Sequence, residues 1–266
     1  MRSIGLLLLS VLGLHAGIYY AKVEPSSTYT LKASYSAEVT ASLLELEGKL
    51  SEGNLVVRLD DALDTKELKF SQEKHHSLLK TVTLMQQNIL NAQETVRIKE
   101  ENYGRIKELK TKSKVDKDNE FINLLNVKNQ LLNLEQSLQN TYVQLSDLDY
   151  HINFLKDKID KKNLQVPKGN LIYKIYVTKG DYVVTGSPLI DVYDVREGKL
   201  TLFLSKEDIE LARRGVIYVD GKKTDLKVHK LWSVADTQNI SAYRCEILLP
   251  HPDIFSMLKK IEFKEQ

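Results

Sequence analysis

The stretch RIKELKTKSKVDKDNEF, Arg105 to Phe121, decides how this chain folds. It is dense in charge, has no Gly or Pro, and lies between two long apolar repeats. From about Asp64 to Asn163 there is no Pro and a single Gly, Gly104, a composition that suits long helices. Downstream the repeat reads Leu124, Val127, Leu131, Leu134, Leu138, Tyr142, Leu145, Leu148, Ile152, Leu155, Ile159. Its spacing averages about 3.5 residues, the period of a coiled-coil seam. Upstream it reads Leu68, Leu78, Val82, Met85, Ile89, Ala92, Val96, Tyr103, Ile106, with Ser71, His75 and Lys99 as polar interruptions.

The two repeats mirror each other. Pairing Leu68 with Ile159, Val82 with Leu145, Ile89 with Leu138, Val96 with Leu131 and Tyr103 with Leu124 keeps one antiparallel register. Its centre falls at Ser113–Lys114. The sequence therefore predicts one helical hairpin over residues 64–163, turning inside the quoted stretch, with arms of roughly 70 Å at 1.5 Å per residue. A parallel coiled-coil dimer is the alternative, but it does not require layers that mirror about a centre. His75 is expected to face Ile152, beside His151 and near His76. Imidazoles bind zinc or copper, yet at the edge of a thin two-helix seam they are more often simply solvated, and no metal is expected. Lys99 is expected to snorkel out of the seam.

The first residues read MRSIGLLLLSVLGLHAGIYYAK: a basic start, an apolar run from Ile4 to Leu14, then small residues. That is the form of a secretory signal. Cleavage after Ala16 or Ala21 is possible, with Leu14 or Tyr19 at the −3 position. The alternative is an uncleaved anchor, since Ile4 to Tyr20 is at the short limit for spanning a bilayer. Both place the remainder outside the cytoplasm. The net charge of +2 and the absence of a basic stripe interleaved with aromatics give no case for nucleic acid. One cysteine, Cys245, excludes a disulfide framework.

The hairpin is flanked by two β-like segments that resemble each other, EGKLSEGNLVVRLD (residues 47–60) and KGDYVVTGSPLIDVYD (179–194). Each has a Gly turn, a short strand, a second Gly, then an apolar strand ending in Asp. The glycines are Gly48 and Gly53 in the first copy, Gly180 and Gly186 in the second. Chance similarity of two hairpins is the alternative to a true repeat. If the repeat is true, neither half buries its face alone, and the helical hairpin is an insertion that joins the halves at its base.

The order of segments resembles the membrane-fusion-protein family, the HlyD-like periplasmic adaptors of efflux pumps and type I secretion systems. GNLIYKIYVTKGDYVVTGSPLIDVYD (169–194) looks like the family's second lipoyl half. The resemblance implies an α+β chain. In it, a long antiparallel coiled-coil hairpin is inserted in a split lipoyl-like (barrel-sandwich) domain and followed by a small β-barrel. The segments are 1–21, signal peptide or anchor; 22–63, first lipoyl-like half; 64–163, hairpin; 164–197, second half; and 198–266, barrel. A membrane-proximal domain, common in adaptors of RND pumps, is absent or reduced to residues 22–30. In the last segment SKEDIELARRG (205–215) reads as a helix with Ser205 as N-cap and Gly215 as stop. Trp232, Cys245 and Phe255 read as core residues.

In many adaptors the hairpin tip carries an Arg, a Leu four residues on and a Ser seven further, which by resemblance meet a TolC-like outer-membrane channel. Here Arg105 and Leu109 match, while the third position is Asp116, which is expected to N-cap the second arm. From Arg105 to Asp118 there are six basic and three acidic residues, so the tip is basic. The resemblance implies a non-enzymatic adaptor that joins an inner-membrane transporter, ABC or RND, to the channel. It implies a homo-oligomer, hexameric by resemblance, in the periplasm and without cofactor. The rivals are an envelope scaffold without a channel partner and a lipoylated carrier. No carrier-type Lys motif lies between the halves, and no nucleophile–base set or phosphate loop is evident.

Overall fold

The computed structural model of the protein describes residues 17–236, 239, 241–252 and 254–265. Residues 59–163 form one compact unit, and the described residues before and after it form a second.

The first unit is two helices, α1 (Ala62–Glu108) and α2 (Lys114–Lys161), of 47 and 48 residues. Their seam follows the apolar spacing. Val82, Ile89 and Val96 of α1 and Leu124, Leu145, Ile152 and Leu155 of α2 are all less than a tenth exposed. The rungs lie where the mirror pairing puts them: Lys128 meets Glu100 at 2.5 Å, and Gln86 donates to the Tyr142 hydroxyl at 2.9 Å. One seam position differs from expectation. Thr141 is buried and Tyr142 is 39% exposed. Steps of three and four alternate strictly from Leu138 through Thr141 and Leu145 to Leu148, so geometry selects the threonine although the tyrosine is more apolar. The Thr141 hydroxyl is satisfied by the Ser137 carbonyl at 3.0 Å, and it also lies 3.5 Å from Met85 Sδ.

The ends of the hairpin are tied by charge. Asp64, at the start of α1, is buried and takes Lys158 at 2.7 Å and Lys162 at 2.5 Å; Lys162 Nζ also donates to the Asp60 carbonyl at 2.7 Å. Burial alone would raise the Asp64 carboxyl, but the two lysines outweigh it and hold it below the usual carboxylate range. His75 lies 3.1 Å from Asp149, and His151 lies 2.9 Å from Glu67. These two expected neighbours are therefore engaged with separate carboxylates of the facing helix, and no metal-sized acidic or histidine cluster occurs among the described residues.

The second unit is antiparallel β structure. Before α1 come β1 (Ile18–Lys32), β2 (Ala37–Ser42) and β3 (Leu55–Leu59). After α2 come β4 (Asn163–Gln165), β5 (Asn170–Ile175), β6 (Tyr182–Val183) and the long β7 (Pro188–Leu204). A short helix, α3 (Ile209–Arg214), is followed by β8 (Val216–Val219), β9 (Lys222–Lys223), β10 (Val228–Leu231), β11 (Tyr243–Pro250) and β12 (Leu258–Lys264). One sheet runs β10-β11-β7-β1-β12-β8-β9, with β5 also on β7; a smaller one runs β4-β3-β2-β6. Period-two alternation builds the core of the large sheet. Ala21 and Val23, Leu200, Leu202 and Leu204, Cys245 and Ile247, and Ile261 and Phe263 point inward, joined by Ala212 and Ile217. Each large side chain of this set gains about 1.5–3 kcal/mol from burial.

The four glycines of the two similar segments all have positive φ: Gly48 at 77°, Gly53 at 90°, Gly180 at 94° and Gly186 at 90°. No residue with a Cβ adopts that region without strain, so both segments turn at glycine for the same reason.

Several expectations need correction. Residues 22–30 are no separate domain but the body of β1. Residues 198–266 do not complete their sheet alone, because β1 lies between β7 and β12. Of the expected segment 1–21, residues 1–16 lie outside the described residues, while Ile18–Ala21 is already strand, paired with β12. Ser205 does not cap α3: Asp208 holds that place, and Ser205 Oγ accepts from the Asp208 amide one turn earlier. Gly215 does end the helix, and only glycine fits, since a Cβ would meet the Leu211 and Lys264 carbonyl oxygens at 2.5 and 2.8 Å. Cys245 is fully buried and Phe255 packs against the core, but Trp232 is 38% exposed, covered on one face by the Arg244 guanidinium at 4.9 Å. No helix among the described residues is long and apolar enough to cross a membrane.

Candidate partner-binding site at the hairpin tip

Helix α1 stops at Glu108. Leu109 leaves the helical region at φ −72°, ψ 123°, and its amide still bonds to the Ile106 carbonyl at 3.1 Å. Helix α2 restarts at Lys114 because Ser113 and Asp116 form a capping box. Ser113 Oγ accepts the Asp116 amide at 3.1 Å, and the Asp116 carboxylate accepts the Ser113 amide at 3.3 Å. Two otherwise orphaned donors at the helix start are thereby satisfied. The turn thus lies at Leu109–Ser113, a little before the expected centre, and Asp116 is the reciprocal partner of the cap, not the cap itself. The last layer beneath is aromatic: Tyr103 and Phe121 pack across the hairpin with centroids 5.3 Å apart.

The three residues singled out from sequence all sit at this end. Arg105 is exposed on the last turn of α1 and donates to Asn102 Oδ1 at 2.5 Å. Leu109 is 46% exposed at the turn, and Asp116 is exposed on the first turn of α2. Each is held by its own helix; no bond joins the three among the described residues. Sequence reasoning overlooked Val115, 67% exposed on the first turn of α2, and Ile122, 52% exposed about two turns further along. Their signal was available, because both lie off the seam spacing and a helix that was only solvated there would carry polar residues. The tip segment therefore carries exposed apolar side chains together with the exposed lysines Lys107, Lys110, Lys112 and Lys114. A basic surface with exposed apolar side chains is complementary in chemistry to acidic and apolar groups.

No protein-family model and no curated protein matches the sequence. Solved structures do. MacA from Actinobacillus actinomycetemcomitans superposes with a TM-score of 0.70 at 16% identity, over 94% of this chain and 78% of that one. The membrane fusion protein Spr0693 from Streptococcus pneumoniae R6 superposes at 0.57 and 12% identity, over 94% of this chain and 99% of that one. The chain has the membrane-fusion-protein fold. A putative efflux transporter from Bacteroides eggerthii agrees, at 0.60 and 11% identity over 94% and 69%. Likeness at these identities is one of fold.

Proposed function

We propose that the chain is a periplasmic adaptor that links an inner-membrane transporter, ABC or RND, to a TolC-like outer-membrane channel for export of small molecules or proteins. The observation that carries this reading is the tip: a capped turn with exposed Arg105, Leu109 and Asp116, at the end of a hairpin inserted in a membrane-fusion-protein fold. On this reading residues 22–63 and 164–197 are the halves of a lipoyl-like domain, 64–163 the docking hairpin and 198–266 the bulk of a β-barrel. The four positive-φ glycines at matching places in the two halves support the lipoyl-like repeat. The chain works as a homo-oligomer, hexameric by resemblance, and without cofactor. Its β unit engages the transporter while the basic tip meets the channel.

The test is a photo-crosslinker at Lys112 or Ser113 in the exported full chain. The expected product is a crosslink to an outer-membrane channel, lost together with export in the Arg105→Asp, Leu109→Ser double variant at unchanged protein level. Absence of any channel among the products, with unchanged export, would favour an envelope scaffold of the same architecture. Intact mass of the mature protein separates both from a lipoylated carrier, because lipoylation adds mass.

A further inference from the structure

Gly17 packs against Asp208 more closely than any side chain permits. A Cβ at Gly17 would lie 2.5 Å from Asp208 Oδ2, 3.0 Å from its Cγ and 2.8 Å from Tyr19 Cε2. Standard bond lengths then place the Gly17 nitrogen within about 5 Å of Oδ2. The carboxylate itself is held in place. Oδ2 accepts the Tyr19 hydroxyl at 2.5 Å and the Ser205 hydroxyl at 3.0 Å. The Ser205 amide donates to Tyr19 Oη at 3.2 Å, and the Asp208 amide to Ser205 Oγ at 3.3 Å. Burial, then the bond to Asp208, raises the Tyr19 phenol, so the tyrosine stays a neutral donor. Among the described residues no Lys, Arg or His pairs with Asp208. Asp208 is thus a half-buried carboxylate with hydroxyl partners, and the Gly17 backbone lies against it at a position that tolerates no side chain.

We propose that the chain is processed between Ala16 and Gly17, and that the new α-ammonium of Gly17 is held by Asp208, pinning the start of β1 into the sheet. The covalent step is hydrolysis by a leader-removing peptidase. The Ala16–Gly17 amide breaks, water supplies hydroxyl to the Ala16 carbonyl carbon, and the Gly17 nitrogen takes the proton. A second proton from solvent makes it an ammonium, because a free α-amine has a pKa of about 8. An amide nitrogen at this place offers at most one hydrogen and no charge; the ammonium offers three and the compensating charge. The fold also separates the two boundaries that the leader pattern allows. Cleavage after Ala21 would remove Tyr19, the donor to Asp208, and the strand residues Ile18–Ala21 that pair with β12, including the buried Ala21. Cleavage after Ala16 keeps them all.

The inference rests on the export reading but not on the adaptor's partners. The full-length gene is expressed with export, and the purified protein is examined by intact mass and N-terminal sequencing. A chain that begins at Gly17 is expected. A start at Lys22, or a retained leader, overturns the inference and leaves the adaptor proposal standing. The pairing is read by melting temperature on the Gly17-started chain, free or N-terminally acetylated, in wild type and in Asp208→Asn. Acetylation is expected to lower the melting point of wild type by about 2–4 °C and to have no effect in the variant. Equal melting of the free and acetylated wild-type chains overturns the pairing whether or not Asp208→Asn folds.

Discussion

At the scale of single residues, the decisive choices are polar groups placed where an apolar pattern runs out. Asp64 is one. Its buried carboxylate binds Lys158 and Lys162, so Asp64→Asn removes the charge that both lysines share at the base of the hairpin. Losing one partner of a buried pair costs about 3–5 kcal/mol, and the half-exposed Lys158 places the expected loss at the low end, about 3 kcal/mol. Urea unfolding of the two proteins measures it. The pH dependence follows from the depressed carboxyl. Its folded value lies below its ordinary value of 3.8, so the stabilisation is complete from about pH 5 upward and is lost as the pH falls through the folded value. The stability difference between wild type and Asp64→Asn should therefore be flat from pH 5 to 7 and shrink below pH 4. Asp64 was not legible as a partner, since nothing in a helix-start aspartate says that lysines almost one hundred residues later will meet it. Cys245 was legible, because alternation along its strand already turns it inward; burial, with Glu246 adding to it, pushes its thiol up to about 12.

At the scale of elements, spacing was a better guide than hydrophobicity. The hairpin register could be read because 3.5-residue periodicity and mirror pairing are geometric. The place of Tyr142 was misread because its apolar ring outweighed the alternation that puts Thr141 in the seam. The turn was misread by a few residues for a related reason: the apolar layers locate the seam, whereas the start of α2 is set by the Ser113–Asp116 box, which layers do not report. That box gives a sharp expectation. Ser113→Ala should cost about 1 kcal/mol and speed hydrogen exchange of the Asp116 and Lys117 amides, while amides near Ile152 stay as protected as in wild type. Uniform loss of protection along α2 would mean that the cap nucleates the whole helix. Asp116, which stands where the resemblance expects a serine, also finds a physical reading here: the carboxylate helps to start a helix.

At the scale of the whole molecule, the two units answer to different parts of the sequence. Periodicity made the hairpin legible almost residue by residue. The β unit was legible only as an order of segments, because strands that pair across great sequence distance leave no local sign of who their neighbours are. Both ends of the hairpin close on each other, with the Leu59 amide bonded to the Lys162 carbonyl at 2.9 Å. Replacing residues 62–161 by a short Gly-Ser linker should therefore leave the β unit folded, with a single thermal transition and the helical circular dichroism removed. A non-cooperative melt would show that the β unit depends on the helices. The position of β1 has one more consequence, which concerns time. It is the first of the described elements to be synthesised, yet its partners are β7 and β12, about 170 and about 240 residues behind it. Both helices of the hairpin can find each other long before either partner arrives. Until β7 emerges β1 has no strand partner, and until β12 emerges one of its edges stays open, so the nascent chain carries a sticky edge for most of its synthesis.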